Sequence, residues 1–192
     1  MNKKEHTLLL IMGRTGAGKD KLVNHLCDTG NLKQLISYST RPRRQDEGDT
    51  HIFVDESDYF KMLESREVAV DTKISDNYYW SKIEQLYESD VYIVDYLGFK
   101  KLKKLNLPNI RFVSVYINVP DEIREERAIN LRHDDKNIFR KRNLDERRQF
   151  REMLQAADFD YSIQNIRFPE AYSVLKWIAT VEGVFNNKGE VE

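Results

Sequence analysis

An apolar hexapeptide, Thr7-Leu8-Leu9-Leu10-Ile11-Met12, runs directly into Gly13-Arg14-Thr15-Gly16-Ala17-Gly18-Lys19-Asp20. Residues 19–28 then read as an amphipathic helix closed by Gly30. No other feature constrains the chain as much. The apolar run is too short to cross a membrane or serve as a signal-peptide core, so it reads as a buried strand. The three glycines of the turn let successive backbone N–H groups curl around an anion without Cβ clashes. The next helix points its positive end at the same spot. A strand, a glycine turn and a helix in that order open a parallel α/β sheet.

The octapeptide matches the phosphate-loop pattern G-x-x-x-x-G-K-[ST] at every fixed position but the last. Gly13, Arg14, Thr15, Gly16, Ala17, Gly18, Lys19 and Asp20 therefore form the expected ATP contact, with Lys19 reaching the β- and γ-phosphates. Asp20 stands where a hydroxyl normally ligates Mg²⁺. Its carboxylate either takes the metal itself, directly or through water, or is a helix N-terminal acid favoured by the dipole.

The rest of the chain repeats the strand–helix rhythm. Residues 35–39, 91–95, 112–117 and 161–164 read as strands. Residues 97–105 and 121–132 read as helices after two of them. A closing helix from about Pro169 places Val174, Trp177, Ile178, Val181 and Phe185 on one face. Residues 51–54, 68–73 and 78–80 break the rhythm as short strands, with a helix at 57–65. They read as a small antiparallel insert. The expected fold is thus α/β, a parallel sheet flanked by helices with an inserted small antiparallel subdomain.

Charge narrows the function. Lys and Arg number 31 against 32 Asp and Glu, a net charge of -1, which argues against non-specific nucleic-acid binding as the main task. The single cysteine, Cys27, excludes an internal disulfide and suits a reducing cytosol. It falls among Leu22, Val23 and Leu26, which reads as a small buried filler rather than a nucleophile. The expectation is a cytoplasmic protein, monomeric or homodimeric, with nucleotide partners and neither nucleic acid nor membrane.

After the loop come Ser37-Tyr38-Ser39-Thr40-Arg41-Pro42-Arg43-Arg44 and then Gly48-Asp49-Thr50-His51-Ile52-Phe53-Val54. With Asn77-Tyr78-Tyr79, Asp95-Tyr96-Leu97-Gly98, Arg127, Arg132 and Asp160-Tyr161-Ser162-Ile163-Gln164-Asn165, this order resembles the guanylate kinases over nearly the whole chain. The resemblance implies a P-loop kinase core of about 1–36, 91–125 and 150–185, a monophosphate-binding insert of about 37–90 and a helical lid of about 126–149. It also implies Mg²⁺- and ATP-dependent phosphorylation of a nucleoside monophosphate, GMP or dGMP foremost. By motif, Ser37, Arg41, Arg44 and Tyr79 grip the acceptor phosphate, and two arginines suit a dianion through bidentate bonds. His51 replaces the family's usual Tyr, as a further donor or as a plain strand residue. Arg132 and Arg142 match lid arginines that neutralise the transferring phosphoryl, alongside Lys19 and Arg41. Asp95 ends a strand, where it steers Mg²⁺, touches the acceptor or merely caps. Asn165 is expected near the adenine.

The base-reading positions depart from the family. Val70 aligns with the glutamate that pairs with guanine, and Ile93 with a second acidic position. Ser81 is retained as a substrate contact, while Trp80 replaces a glycine. Asp71 and Asp76 are the nearest acidic substitutes. Two rival readings stay open at this level. One is a different acceptor, such as another deoxynucleoside monophosphate or ribose 1,5-bisphosphate. The other is a non-catalytic guanylate-kinase-like binding module.

Overall fold

The computed structural model describes residues 5–43, 50–74 and 76–185. Five strands form one parallel sheet in the order β2-β7-β1-β8-β9, from β1 (His6–Met12), β2 (Gln34–Leu35), β7 (Val91–Ile93), β8 (Ile110–Asn118) and β9 (Tyr161–Gln164). The middle strand β1 has no exposed surface from Leu8 to Met12. A strand covered on both faces needs no polar alternation, hence its continuous apolar run. Leu9 and Ile11 join Val113, Val115 and Ile117 under α1 (Lys19–Gly30) and α7 (Phe168–Val181). Leu8, Leu10 and Met12 join Tyr92 and Tyr116 on the other face, under α4 (Tyr96–Leu102) and α6 (Lys136–Ala156). From β1 the chain passes to one side of the sheet, through β2 and β7, and then crosses to the other. A crevice therefore opens beyond the carboxyl end of β1, the place where sheets of this kind hold ligands.

The remaining strands form a second sheet, β4-β3-β6-β5: β3 (Tyr38–Ser39), β4 (Ile52–Phe53), β5 (Val68–Ile74) and β6 (Asn77–Lys82). It is antiparallel across β3–β6 and β5–β6, but β3 and β4 run parallel. Cross-strand partners share a face, and period-two alternation sorts the rest. One face carries Tyr38, Asp71, Tyr78 and Trp80. It packs on α2 (Glu56–Glu64), with Tyr59 stacked 4.2 Å from Tyr78 and 5.0 Å from Trp80. The opposite face carries Ser39, His51, Phe53, Val70, Thr72, Tyr79 and Ser81. Ser39, Val70, Thr72 and Ser81 on it are buried, whereas His51, Phe53 and Tyr79 keep part of their surface.

Several local expectations change. The strand expected over 35–39 is two strands, since the chain passes from one sheet to the other at Ile36 and Ser37. Asn31, in the left-handed region, caps α1 instead of Gly30. Gly30 is needed for closeness, because a Cβ there would meet the Phe185 ring at 2.5 Å. The helix expected over 121–132 is α5 (Asp121–Glu126) followed by a π-helical turn (Arg127–Leu131). A short α3 (Ile83–Glu88) between the two sheets had no periodic signal. The closing helix buries Ala171, Leu175, Ile178 and Ala179, so Val174, Trp177 and Val181 lie on the solvent side. Among the described residues no helix is long and apolar enough to cross a membrane.

Candidate active site

The glycine turn leaves β1 with Gly16 and Gly18 at φ near +79° and +78°, a region that side chains with a Cβ rarely adopt. Close packing adds to this. A Cβ on Gly16 would lie 2.6 Å from the Arg124 carbonyl oxygen, and one on Gly13 2.8 Å from that of Ile117. Gly18 is the N-cap of α1 and supplies no side-chain cap, so no cap side chain takes the N–H groups of the first turn. Lys19 folds back over the loop, its Nζ donating to the Gly13 carbonyl at 2.7 Å. Burial pushes the Lys19 ammonium below its ordinary pKa; Asp20 and Glu146 pull it up, while Arg142 and Arg132 push it further down. Arg132, Arg142 and the loop lysine thus share one electrostatic neighbourhood. Asp20 is exposed on the first turn of α1.

An ionic hub centred on the buried Arg124 holds the loop against α6. Arg14 donates to Asp121 Oδ1 at 2.8 Å and to Asn143 Oδ1 at 2.7 Å. Arg124 donates to the same two oxygens and to the Thr15 carbonyl, at 2.8, 2.9 and 2.9 Å. From α6, Glu146 Oε2 accepts the Thr15 N–H at 2.6 Å. None of Asp121, Arg124, Asn143 or Glu146 figured among the sequence candidates. The helix carried a signal for two of them, because the buried stripe Phe139, Phe150, Met153 is interrupted by Asn143 and Glu146. A polar pair set into an apolar stripe needs polar partners.

Asn165 braces the loop. Its Nδ2 donates to the Ala17 carbonyl at 2.8 Å and would collide with any Cβ on Gly18, at 2.7 Å. Arg127 fixes the same segment by donating to the carbonyls of Asn165 and Ile166 at 2.8 and 3.0 Å. The Asn165 amide therefore packs on the loop backbone.

At the partly exposed part of that second face, Ser37 Oγ lies 2.9 Å from His51 Nδ1, and the His51 ring sits 5.5 Å from Tyr79. Phe53 lies 5.9 Å from His51 and carries the Arg41 guanidinium over its own ring at 5.0 Å. Ser37, His51, Tyr79 and Arg41 thus form one cluster. Arg44 lies outside the described residues. At the end of β7, Asp95 caps α4 by accepting the Gly98 N–H at 2.8 Å, and accepts the Thr72 hydroxyl of β5 at 2.9 Å. That second bond joins the insert to the mouth of the crevice. Arg132 pairs with Asp134 at 2.6 Å.

Val70 and Ser81 are cross-strand partners on the face that also carries Thr72 and Tyr79. Val70 is 3% exposed and belongs to the core beneath the parallel sheet. Trp80 faces α2, away from that face, with its Nε1 3.4 Å from Met62 Sδ. Ser81, expected to touch substrate, has no exposed surface in this structure. Asp71 faces α2 as well. Its carboxylate accepts from Tyr59 at 2.9 Å and Lys101 at 2.8 Å, on the face turned away from Thr72 and Tyr79. Among the described residues no cluster of three or more His, Cys, Asp or Glu side chains forms a metal cage.

The guanylate kinase family model matches residues 5–181. The guanylate kinase of Methylococcus capsulatus is 29% identical over 184 residues, covering 91% of this chain and 88% of its own. That of Yersinia pestis is 30% identical over 187 residues, covering 92% and 88%. That of Paraburkholderia xenovorans is 31% identical over 179 residues, covering 88% and 77%. In shape, the crystal structure of guanylate kinase from Anaplasma phagocytophilum superposes with a TM-score of 0.65, at 20% identity, over 95% of this chain and 88% of that one.

Proposed function

The chain belongs to the guanylate kinase family, and from that membership we propose that it transfers the γ-phosphoryl group of Mg·ATP to the 5′-phosphate of GMP or dGMP. The observation that carries this reading is the loop from Gly13 to Lys19. Its left-handed glycines and uncapped helix start expose amides, and the Thr15 N–H already holds an anionic oxygen, that of Glu146. Phosphate oxygens of the donor occupy this cradle. Asp20 holds Mg²⁺ together with the donor phosphates, and the ion supplies charge neutralisation at the transferring group. Both oxygens of Asp95 are engaged, so we assign the metal to Asp20 and keep Asp95 for the acceptor.

Ser37, Arg41, His51 and Tyr79 hold the acceptor phosphate, with Arg44 as a further cation. An oxygen of that phosphate attacks the γ-phosphorus as the bond to the β-bridging oxygen breaks, and ADP leaves. No covalent enzyme intermediate is required. Lys19, Arg132 and Arg142 neutralise the charge on the transferring phosphoryl; groups of this kind contribute about 10³–10⁵ in rate where measured. The brace from Asn165 keeps the loop in its anion-holding shape. A cytosolic site of action agrees with the single thiol and the nucleotide substrates.

Guanine N–H donors ask for a carboxylate acceptor. With Val70 in the core, Asp71 held by Tyr59 and Lys101 on the other face, and Asp76 exposed just before β6, Asp95 takes that role, exchanging the Thr72 hydroxyl for the base. Asp95→Asn keeps a competent helix cap and should lower kcat/KM for GMP by at least about tenfold, with less effect on AMP. An unchanged GMP-to-AMP ratio refutes the assignment. The reaction as a whole is tested by ADP formation with GMP, dGMP, AMP, UMP and ribose 1,5-bisphosphate side by side. GMP or dGMP should lead. Turnover of the bisphosphate alone would replace this reading.

A further inference from the structure

Glu146 occupies an unusual place. It projects from α6 into the glycine turn, where its Oε2 accepts the Thr15 N–H at 2.6 Å and its charge acts on Lys19. The flanking positions of its stripe, Phe139 and Phe150, are buried hydrophobic side chains. Seating a carboxylate there costs desolvation, which the amide and the ammonium offset. To the cradle, a carboxylate oxygen and a phosphate oxygen are the same kind of acceptor, and one amide N–H does not serve both well.

We propose that Glu146 is an internal competitor for the donor phosphate, setting the affinity of the loop for nucleotide and displacing the ADP product. The inference rests on the assignment of the loop to the donor phosphates. With Glu146 seated, the nucleotide meets a competent cradle only in the fraction of molecules whose carboxylate has swung out. Apparent affinity falls by that fraction. Removing the carboxylate should therefore tighten nucleotide binding, whereas removing a group that contacts nucleotide would weaken it. An amide bond to a charged acceptor is of the stronger kind, so the expected change is about tenfold.

Calorimetric titration with Mg·ADP of wild type, Glu146→Gln, Glu146→Asp and Lys19→Ala tests this. Glu146→Gln should bind Mg·ADP about tenfold more tightly than wild type. KM for ATP should fall and kcat should not rise, because ADP leaves more slowly. Glu146→Asp, with its carboxylate drawn back by one methylene, should bind with intermediate affinity, and it decides the matter should the Gln variant not fold. Lys19→Ala should bind more weakly than wild type. Wild-type affinity or weaker in a folded Glu146→Gln overturns the inference while leaving the loop assignment intact. Failure of wild type to bind Mg·ADP overturns the loop assignment instead.

Discussion

Arg124→Met removes the centre of the hub that ties the glycine turn to α6. The Arg124 side chain is 1% exposed and donates to four oxygens: the carbonyls of Thr15 and Val119, and the side chains of Asp121 and Asn143. Methionine fills most of the volume and donates nothing. Asp121 keeps Arg14 and is 40% exposed, so water recovers part of its loss. The Thr15 and Val119 carbonyls and the Asn143 oxygen lose a donor at about 1–3 kcal/mol each where water cannot replace it. Breaking one side of a buried ionic network typically costs about 3–5 kcal/mol. With Asp121 half in solvent, the lower end of that range applies, about 3 kcal/mol. For a chain of this length that lowers Tm by about 6–12 °C. Differential scanning calorimetry reads the shift, and titration with Mg·ADP reads the accompanying loss of loop order as weaker binding. A Tm within about 2 °C of wild type, with unchanged ADP affinity, would refute the role of the hub.

Asp121 resists lowering of its pKa through burial, but the Arg124 hydrogen bond and the charge of Arg14 outweigh this and hold it below the usual carboxylate value. Its contribution to stability is therefore present above the unfolded carboxylate pKa of about 4 and is lost as pH falls through the lower folded value. Asp121→Asn should accordingly melt earlier than wild type at pH 7, with the gap closing in acid; a constant gap contradicts the assignment. Burial, with Asp90 and Asp28 nearby, pushes the Cys27 thiol up to about 11, so iodoacetamide at pH 8 should label native protein far more slowly than unfolded protein. Equal rates would show an accessible thiolate. Trp177 is 59% exposed and Trp80 is 1% exposed. Trp80→Ala should cost about 3–5 kcal/mol and Trp177→Ala under about 1 kcal/mol, measured by urea denaturation; comparable costs would restore the helix face expected from sequence.

Those two tryptophans mark what the sequence could and could not disclose. The run from Leu8 to Met12, the glycine turn and the β-branched run at 112–117 are legible because a strand buried on both faces must be apolar and an anion loop must contain glycine. The closing helix is apolar over more than one face, so periodicity alone does not choose between the Trp177 side and the Leu175 side. Register settles the base-reading positions, and a single-residue step turns every side chain over. Val70 and Trp80 fall on opposite faces for that reason, and a linear alignment does not reveal it. The charged stretch around α6 was legible as a charged helix but not as part of a hub. Asn143 and Glu146 acquire meaning only when α6 is laid against Arg14 and Thr15, more than 100 positions earlier in the chain.

The proposed role of Lys19 and its glycine turn in phosphoryl transfer to a guanine nucleotide is tested by following label from [γ-³²P]ATP into GDP in the presence of Mg²⁺ and GMP, with wild type and Lys19→Ala compared. Wild type should form labelled GDP, and Lys19→Ala, still folded by circular dichroism, should do so at least about 10²-fold more slowly. Labelled GDP formed at similar rates by both proteins, or no label transferred to GMP by wild type, would contradict the account.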